Sequence, residues 1–214
     1  RTEFFSWLDV NYQQVDFILH IGARTDTTET NWDLFQELNV NYSQRMWENC
    51  AFYGIPLIYA SSAATYGLGE QGYFDNHSVV EKLKPLNLYG ISKNEIDKWV
   101  LKQETAPPFW AGLKFFNVYG PNEYHKKRMA SVVFHAFEQI KTTGTVKLFR
   151  SHNENFKDGE QLRDFVYVIA IFESTSYQRS IFFIRKENHD YQSRYQRFRS
   201  YWTYGFPCGG SEFQ

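Results

Sequence analysis

Branched aliphatic residues give out before this chain does. The last leucine is Leu162 and the last valine Val168, and the 46 residues that follow hold one alanine, five arginines and many aromatics. A buried α/β segment needs Leu, Val and Ile at regular spacing, so residues 169–214 are expected to form an atypical tail rather than another layer of core. Translation out of frame from about residue 169 is a sharper reading of the same composition. Cysteine is scarce too. Cys50 and Cys208 stand far apart with no CxxC spacing, which argues against a disulfide framework or a cysteine zinc site and favours a reducing cytoplasm. The six histidines show neither HxxxH nor HxH spacing, so no metal is expected. No apolar run approaches the roughly 20 residues that cross a bilayer, and no membrane association is expected. A formal net charge of −1 offers no global basic field for nucleic acid. The chain opens on Arg1-Thr2-Glu3, without a starting methionine or a signal-peptide core, and reads as beginning inside a longer protein.

What is present alternates. "VDFILHIGA" (15–23) is a short apolar run ending in a glycine turn, the pattern of a buried strand feeding a loop. The next segment, 31–54, spaces Trp32, Phe35, Leu38, Tyr42, Met46 and Cys50 by three and four, a helix closed by Gly54. "IPLIYASS" (55–62) is a second buried strand, and a polar loop with Gly67, Gly69 and Gly72 leads to Pro85-Leu86-Asn87. A helix from there to about Glu104 stops before Pro107-Pro108. "WAGLKFFNVYG" (110–120) reads as a third strand, Met129–Lys141 as a helix, and "VKLFR" and "RDFVYV" as short strands. Strands alternating with helices in this way predict an α/β fold, a doubly wound parallel sheet with helices on both faces. Ligands in such sheets sit beyond the carboxyl ends of the strands. His20, Ser61-Ser62 and Asn117-Val118 fall there.

The segment "NLYGISKNEIDKW" sets Tyr89 and Lys93 four residues apart on a helix. Fifteen tyrosines and twelve lysines in 214 positions give about one such spacing by chance, so the pair alone carries little. One helical turn places both side chains on one face, about 6 Å apart. A nearby ammonium favours a phenolate, and a hydroxyl at the strand end, Ser62, completes a proton relay. The alternative is a packed tyrosine beside a solvated lysine.

"YASSAATYG" followed by a loop and "KPLNLYGISK" resembles the extended short-chain dehydrogenase/reductase superfamily. With "HIGARTDTTE", "FFNVYGPNEYHKKRMASVVFHAF", "KLFRS" and "QLRDFVYV", residues 15–168 resemble the ADP-heptose 6-epimerase family within it. The resemblance implies a Rossmann-like fold and an isomerase. Such an enzyme interconverts ADP-D-glycero- and ADP-L-glycero-D-manno-heptose through NADP (or NAD) for lipopolysaccharide inner-core precursors. It implies that Tyr89, Lys93 and Ser62 form the catalytic triad and that Lys126 is a second acid/base. It places Ile21, Gly22, Ala23, Arg24, Thr25, Asn39, Lys93, Val118 and Lys126 against the cofactor. Asn117, Arg128, His135, Phe149, Arg150, Ser151 and Arg163 are placed against the ADP-sugar, where guanidinium forks suit diphosphate oxygens. A transient carbonyl, with rotation about C5–C6, accounts for two opposed acid/base groups. A homo-oligomer, a pentamer in the family, is implied as well.

Two departures qualify this. The family's glycine-rich phosphate loop and first strands are expected upstream of Arg1, and with them the residue that selects NADP over NAD. Residues 1–168 then make a partial cofactor-binding domain with the start of a substrate-binding part. Alone, that piece is expected to bind NADP poorly and to be inactive or prone to aggregate. Second, "IAIFESTSYQRS" does not continue the family pattern. The rival readings are a UDP-hexose 4-epimerase-like enzyme and a non-catalytic fragment. A dehydratase would carry Asp-Glu after the triad hydroxyl, where this chain has Ala63-Ala64. The aromatic and arginine cluster at 194–202 has the look of a nucleic-acid surface, but it lies in the atypical tail and no such partner is expected.

Overall fold

The computed structural model describes residues 2–151 and 154–171, together with the backbone of 183–184. Helix α1 (Thr2–Asn11) has no counterpart among the expected elements. Its apolar residues are not confined to one stripe: Phe5 and Leu8 are fully buried, while Trp7 and Val10 are exposed. Glu3 in the first turn suits the positive end of the helix.

Strand β1 (Ile18–His20) is shorter than the apolar run and buried on one face only. Ile18 and His20 turn into the core, whereas Leu19 is 52% exposed. Among the described residues β1 pairs with β2 alone. The following helix runs as α2 (Trp32–Phe35), a π-helical segment (Gln36–Asn41) and α3 (Tyr42–Tyr53). Asn31 caps its start by accepting from the Asp33 amide at 3.0 Å, and Gly54 ends it in the left-handed conformation at φ 69°. The π segment widens the turn. Asn39 and Val40 are buried there, and Leu38, the expected inward residue, is only half-buried.

Strands β2 (Leu57–Ser62) and β3 (Trp110–Phe115) form the centre of a parallel sheet ordered β1-β2-β3. All six residues of β2 are buried, as its unbroken apolar run requires. The two-residue strand β6 (Phe183–Ile184) pairs antiparallel with Gly112 and Leu113. Helix α4 (Leu88–Leu101) ends slightly before the expected Glu104. Phe5, Leu8, Ile18, Met46, Trp47, Leu57, Ile96 and Trp110 pack into one cluster from α1, β1, α3, β2, α4 and β3. Trp47 anchors it, 4.9 Å from the Trp110 ring centroid and 6.3 Å from that of Trp99, with its indole N–H donating to the Thr105 carbonyl. Aromatic pairs of this kind contribute about 0.5–1.5 kcal/mol each beyond burial. Cys50 lies in the same cluster, and burial pushes its thiol up to about 12.

Two expectations are corrected. The run "WAGLKFFNVYG" is not one strand. It breaks at Phe116, and β4 (Asn117–Tyr119) leaves the main sheet to pair in parallel with β5 (Phe165–Tyr167). "VKLFR" forms no strand: residues 145–150 are exposed coil after helix α5 (Val132–Thr143), so the alternation in that segment has no sheet to join. Most of the expected atypical tail, including the 194–202 cluster, lies outside the described residues. Among those described, no helix is long and apolar enough to cross a membrane.

Candidate active site

Ser62 closes β2, and its hydroxyl oxygen accepts from the Ala64 amide at 3.1 Å, starting a 3-10 turn over residues 63–66. Helix α4 meets this turn closely. A Cβ on Gly90 would lie 2.7 Å from the Ala64 carbonyl oxygen, so only glycine lets the first turn of α4 come so near. Asn87 fixes that turn by accepting from the Gly90 amide at 2.8 Å. Tyr89 is thereby held near enough to Ser62 for that hydroxyl to favour its phenolate.

Lys93, one turn on, is 6% exposed and donates to the Ala60 carbonyl at 2.6 Å. Burial lowers it to about 8, opposed by the Asp97 carboxylate. The expected depression of Tyr89 by Lys93 is not found. Burial pushes the phenol up, and the Ser62 hydroxyl pulls it part of the way back. The physical reason is burial, the largest influence on this phenol, which disfavours the phenolate.

The loop after β1 is tied to this group through Asn39. Its Oδ1 accepts from the Arg24 amide at 2.8 Å, and its Nδ2 donates to the Arg24 carbonyl at 3.0 Å and to Ser92 Oγ at 2.9 Å. Ser92 in turn donates to the Tyr89 carbonyl at 2.7 Å. The π segment thus links the loop carrying Ile21, Gly22, Ala23, Arg24 and Thr25 to the backbone of Tyr89. Arg24 reaches Glu29 at 3.0 Å and Asp26 at 3.6 Å, while its buried Nε has no partner.

In the segment after β4, Glu123 is 3% exposed and accepts from the Ser131 amide and hydroxyl, each at 2.7 Å. Its carboxylate stands 3.4 Å from Lys126, whose side chain is 42% exposed. Lys127 adopts φ 48°, ψ −125°, a strained backbone for a residue with a side chain. Its neighbours diverge across this kink. Lys126 meets Glu123, whereas Arg128 reaches Asp26 at 2.7 Å and Thr28 at 2.9 Å. Arg128 therefore joins the 124–129 segment to the loop after β1.

The remaining expected residues lie apart. Asn117 and Val118 sit in β4, with Asn117 donating to the Asp164 carbonyl at 2.9 Å. His135 is half-buried on α5, its ring 5.8 Å from that of Phe134. Phe149 and Arg150 are exposed in the coil after α5, the Ser151 amide donates to the Asp158 carboxylate at 2.7 Å, and Arg163 is exposed before β5. No hydrogen bond or ion pair among the described residues joins Arg150 or Arg163 to Ser62, Tyr89 and Lys93. No cluster of three His, Cys, Asp or Glu able to hold a metal occurs among the described residues.

The sequence reading missed the buried polar group behind Lys93. Asp97 is fully buried and accepts from Tyr59 at 3.1 Å, Ser61 at 2.7 Å and Lys114 at 2.6 Å. Two signals pointed to it. Asp97 extends the Tyr89–Lys93 spacing by a further turn, and Lys114 is a lone charge in an apolar strand.

Comparison with known proteins adds to this geometry. The model of the NAD dependent epimerase/dehydratase family matches residues 6–170. ADP-L-glycero-D-manno-heptose-6-epimerase of Fusobacterium nucleatum is 51% identical over 181 residues, 78% of this chain and 54% of its own length. The protein of that name from Nitratidesulfovibrio vulgaris is 47% identical over 154 residues, 72% of this chain and 47% of its own. The Helicobacter pylori ADP-L-glycero-D-manno-heptose-6-epimerase structure superposes with a TM-score of 0.64 at 33% identity, covering 78% of this chain and 50% of that one. The chain spans about half the length of the curated relatives it matches.

Proposed function

The chain belongs to the NAD dependent epimerase/dehydratase family, and on that premise we propose that it carries the catalytic part of an ADP-heptose 6-epimerase. The observation that supports this most directly is the close packing of the first turn of α4, which carries Tyr89, on the turn that follows Ser62, with Lys93 bonded to the Ala60 carbonyl of the same strand. A nicotinamide cofactor suits these residues. Buried Lys93 has donors left beyond the one used on Ala60, and Arg24 offers a buried, unpartnered Nε from the adjoining loop. Such a cofactor, NADP in this reading, supplies reversible hydride acceptance at C6″ with no net redox change.

The chain's own residues handle protons and position. Tyr89 exchanges a proton with the C6″ hydroxyl, Ser62 orients the phenol, and Lys93 supplies a cation at the same strand end. Lys126, held by Glu123, is assigned as a second proton-transfer group. With the C6″ carbonyl turned about C5–C6, one group serves each face. Asn117, His135 and the arginines of the later segments are assigned to the ADP-sugar, and Ile21 to Thr25, Asn39 and Val118 to the cofactor. Ala63 and Ala64 carry no group able to eliminate water, which favours epimerisation over dehydration.

In the same reading, residues 1–168 belong to the cofactor domain and the start of the substrate part, and 169–214 are an atypical tail. The whole protein is a cytoplasmic homo-oligomer. The test is incubation of the gene product carrying these residues with ADP-D-glycero-D-manno-heptose and NADP⁺, followed by chromatographic separation of the epimers. Interconversion is expected, with a loss on the order of a hundredfold or more in Tyr89→Phe and in Lys126→Ala. Wild-type turnover in Lys126→Ala would remove the second acid/base, and conversion of UDP-hexoses instead would overturn the substrate assignment.

A further inference from the structure

Tyr89, Lys93 and Asp97 follow one another at intervals of four, so α4 turns all three toward β2 and β3. The strands meet them with matched residues. Ser61 lies beside Lys114 in register, and Tyr59 lies beside Gly112, where a Cβ would stand 2.4 Å from the Tyr59 hydroxyl. Glycine at 112 therefore leaves room for the Tyr59 phenol to reach Asp97. The result is one buried carboxylate between two buried lysines, with Lys114 also donating to Thr65 at 2.8 Å.

Burying this set costs free energy unless its charges are matched. One carboxylate neutralises one ammonium. Asp97 makes its 2.6 Å contact with Lys114, while Lys93 hydrogen-bonds a neutral carbonyl and feels Asp97 from one turn away. We propose that Asp97 and Lys114 are positioning residues for the candidate active site, with their ion pair setting how much cationic charge Lys93 carries beside Tyr89.

The proposal rests on the functional reading above for its catalytic meaning, but not for its geometry. Lys93 sits at about 8, so a modest change in the pull of Asp97 alters its charge near neutral pH. The other titratable groups packed here do not replace Asp97. Tyr59 on β2 bonds to Asp97, and Tyr66 in the turn after β2 has its ring 5.3 Å from Lys114. In the 77–82 turn, Glu81 is paired with Lys102 at 2.6 Å, and His77 is lowered by burial. Glu37, Arg45 and Glu48 on the helix before β2 are exposed.

The coupling has a definite sign. Removing Lys114 leaves Asp97 free to attract Lys93, so the ammonium persists to higher pH. Removing the Asp97 charge takes away the attraction, so the ammonium is lost at lower pH.

The experiment is a pH titration of the chain labelled with 13Cε-lysine, the Lys93 signal being identified by its disappearance in Lys93→Met. A midpoint near 8 is expected in the parent. Lys114→Met should move it upward by about tenfold or more in the acid dissociation constant, and Asp97→Asn should move it downward by a similar factor. If Asp97→Asn does not fold, Lys114→Met decides alone. An unmoved or lowered midpoint in folded Lys114→Met overturns the proposal. The pH profile of kcat in the gene product provides the catalytic readout, and its upper limb, where the Lys93 ammonium is lost, should follow the same shift. No epimerisation with the shifts present refutes the functional reading and leaves the coupling. Epimerisation with an unmoved titration does the reverse.

Discussion

Gly90→Ala sets two effects of known size against each other. In an ordinary helix interior the change stabilises by about 1 kcal/mol, because alanine has less backbone freedom to lose. In α4 the added Cβ would lie 2.7 Å from the Ala64 carbonyl oxygen, 3.2 Å from its carbon and 3.0 Å from Pro85 Cβ. Relief requires the start of α4 or the 63–66 turn to move by several tenths of an ångström. Neither moves freely, since Asn87 caps the one and Ser62 the other. Overpacking of this kind costs about 1–3 kcal/mol, so a net destabilisation of about 1 kcal/mol is expected. The larger effect is on activity. Tyr89 precedes Gly90 and moves with it away from Ser62, and displacements of this order reduce turnover by roughly tenfold to a hundredfold. Urea unfolding followed by tryptophan fluorescence measures the first effect and epimer formation the second. A variant that gained about 1 kcal/mol and kept parent turnover would refute the close approach as the reason for glycine.

Three further outcomes are expected. Phe5→Ala should lower stability by about 3–5 kcal/mol in urea unfolding, because this α1 ring is fully buried with the Arg45 guanidinium 4.0 Å from its centre. A surface-like loss below about 1 kcal/mol would mean α1 does not dock as described. Asn39→Ala leaves Arg24 and Ser92 without their shared partner, and hydrogen exchange across 23–25 should quicken at a cost of about 1–3 kcal/mol; unchanged protection would count against the bridge. Lys93 has an ordinary value of 10.5 and is lowered to about 8 on folding. Between these values the unfolded chain holds the proton and the folded chain does not, so stability rises with pH by up to about 1.4 kcal/mol per unit. Tyr59 and Tyr89 are raised by burial and reverse the trend once unfolded tyrosine ionises near pH 10. The Cys50 thiol, raised by burial from 9.0 to about 12, opposes the rise in the same way above about pH 9, so urea midpoints from pH 8 to 9.5 should climb in the parent and fall in Lys93→Met.

Those parts of the fold set by local pattern could be read from the sequence. The unbroken run of β2, the Gly54 cap and the helix bearing Tyr89 and Lys93 each follow from residues adjacent in the chain. What escaped depends on distant partners. Leu38 gives way to Asn39 and Val40 because a π turn forms where Asn39 can bridge Arg24 and Ser92, 15 and 53 residues away. β3 and β4 separate at Phe116 because β4 pairs with β5, about fifty residues downstream. Arg128 was assigned to the sugar by resemblance alone, and spacing gives no hint of its contact with Asp26. Among the site residues, the Ser62–Tyr89–Lys93 group was legible because motif and fold agree. Asp97 and Lys114 were not, since the signals they carry, a further helical turn and a lone charge in an apolar strand, name no partner for either until the fold brings them together.

The fit of Tyr59 into the space above Gly112 bears on how this protein can vary over generations. A side chain gained at 112 would strike the phenol, while a smaller residue at 59 would strand part of the Asp97 carboxylate without a donor. Neither change is tolerable by itself. The two codons, more than fifty positions apart, are bound to be inherited as a pair. A lineage that alters one should show the other already altered, with the Asp97–Lys114 pair rebuilt around a different donor.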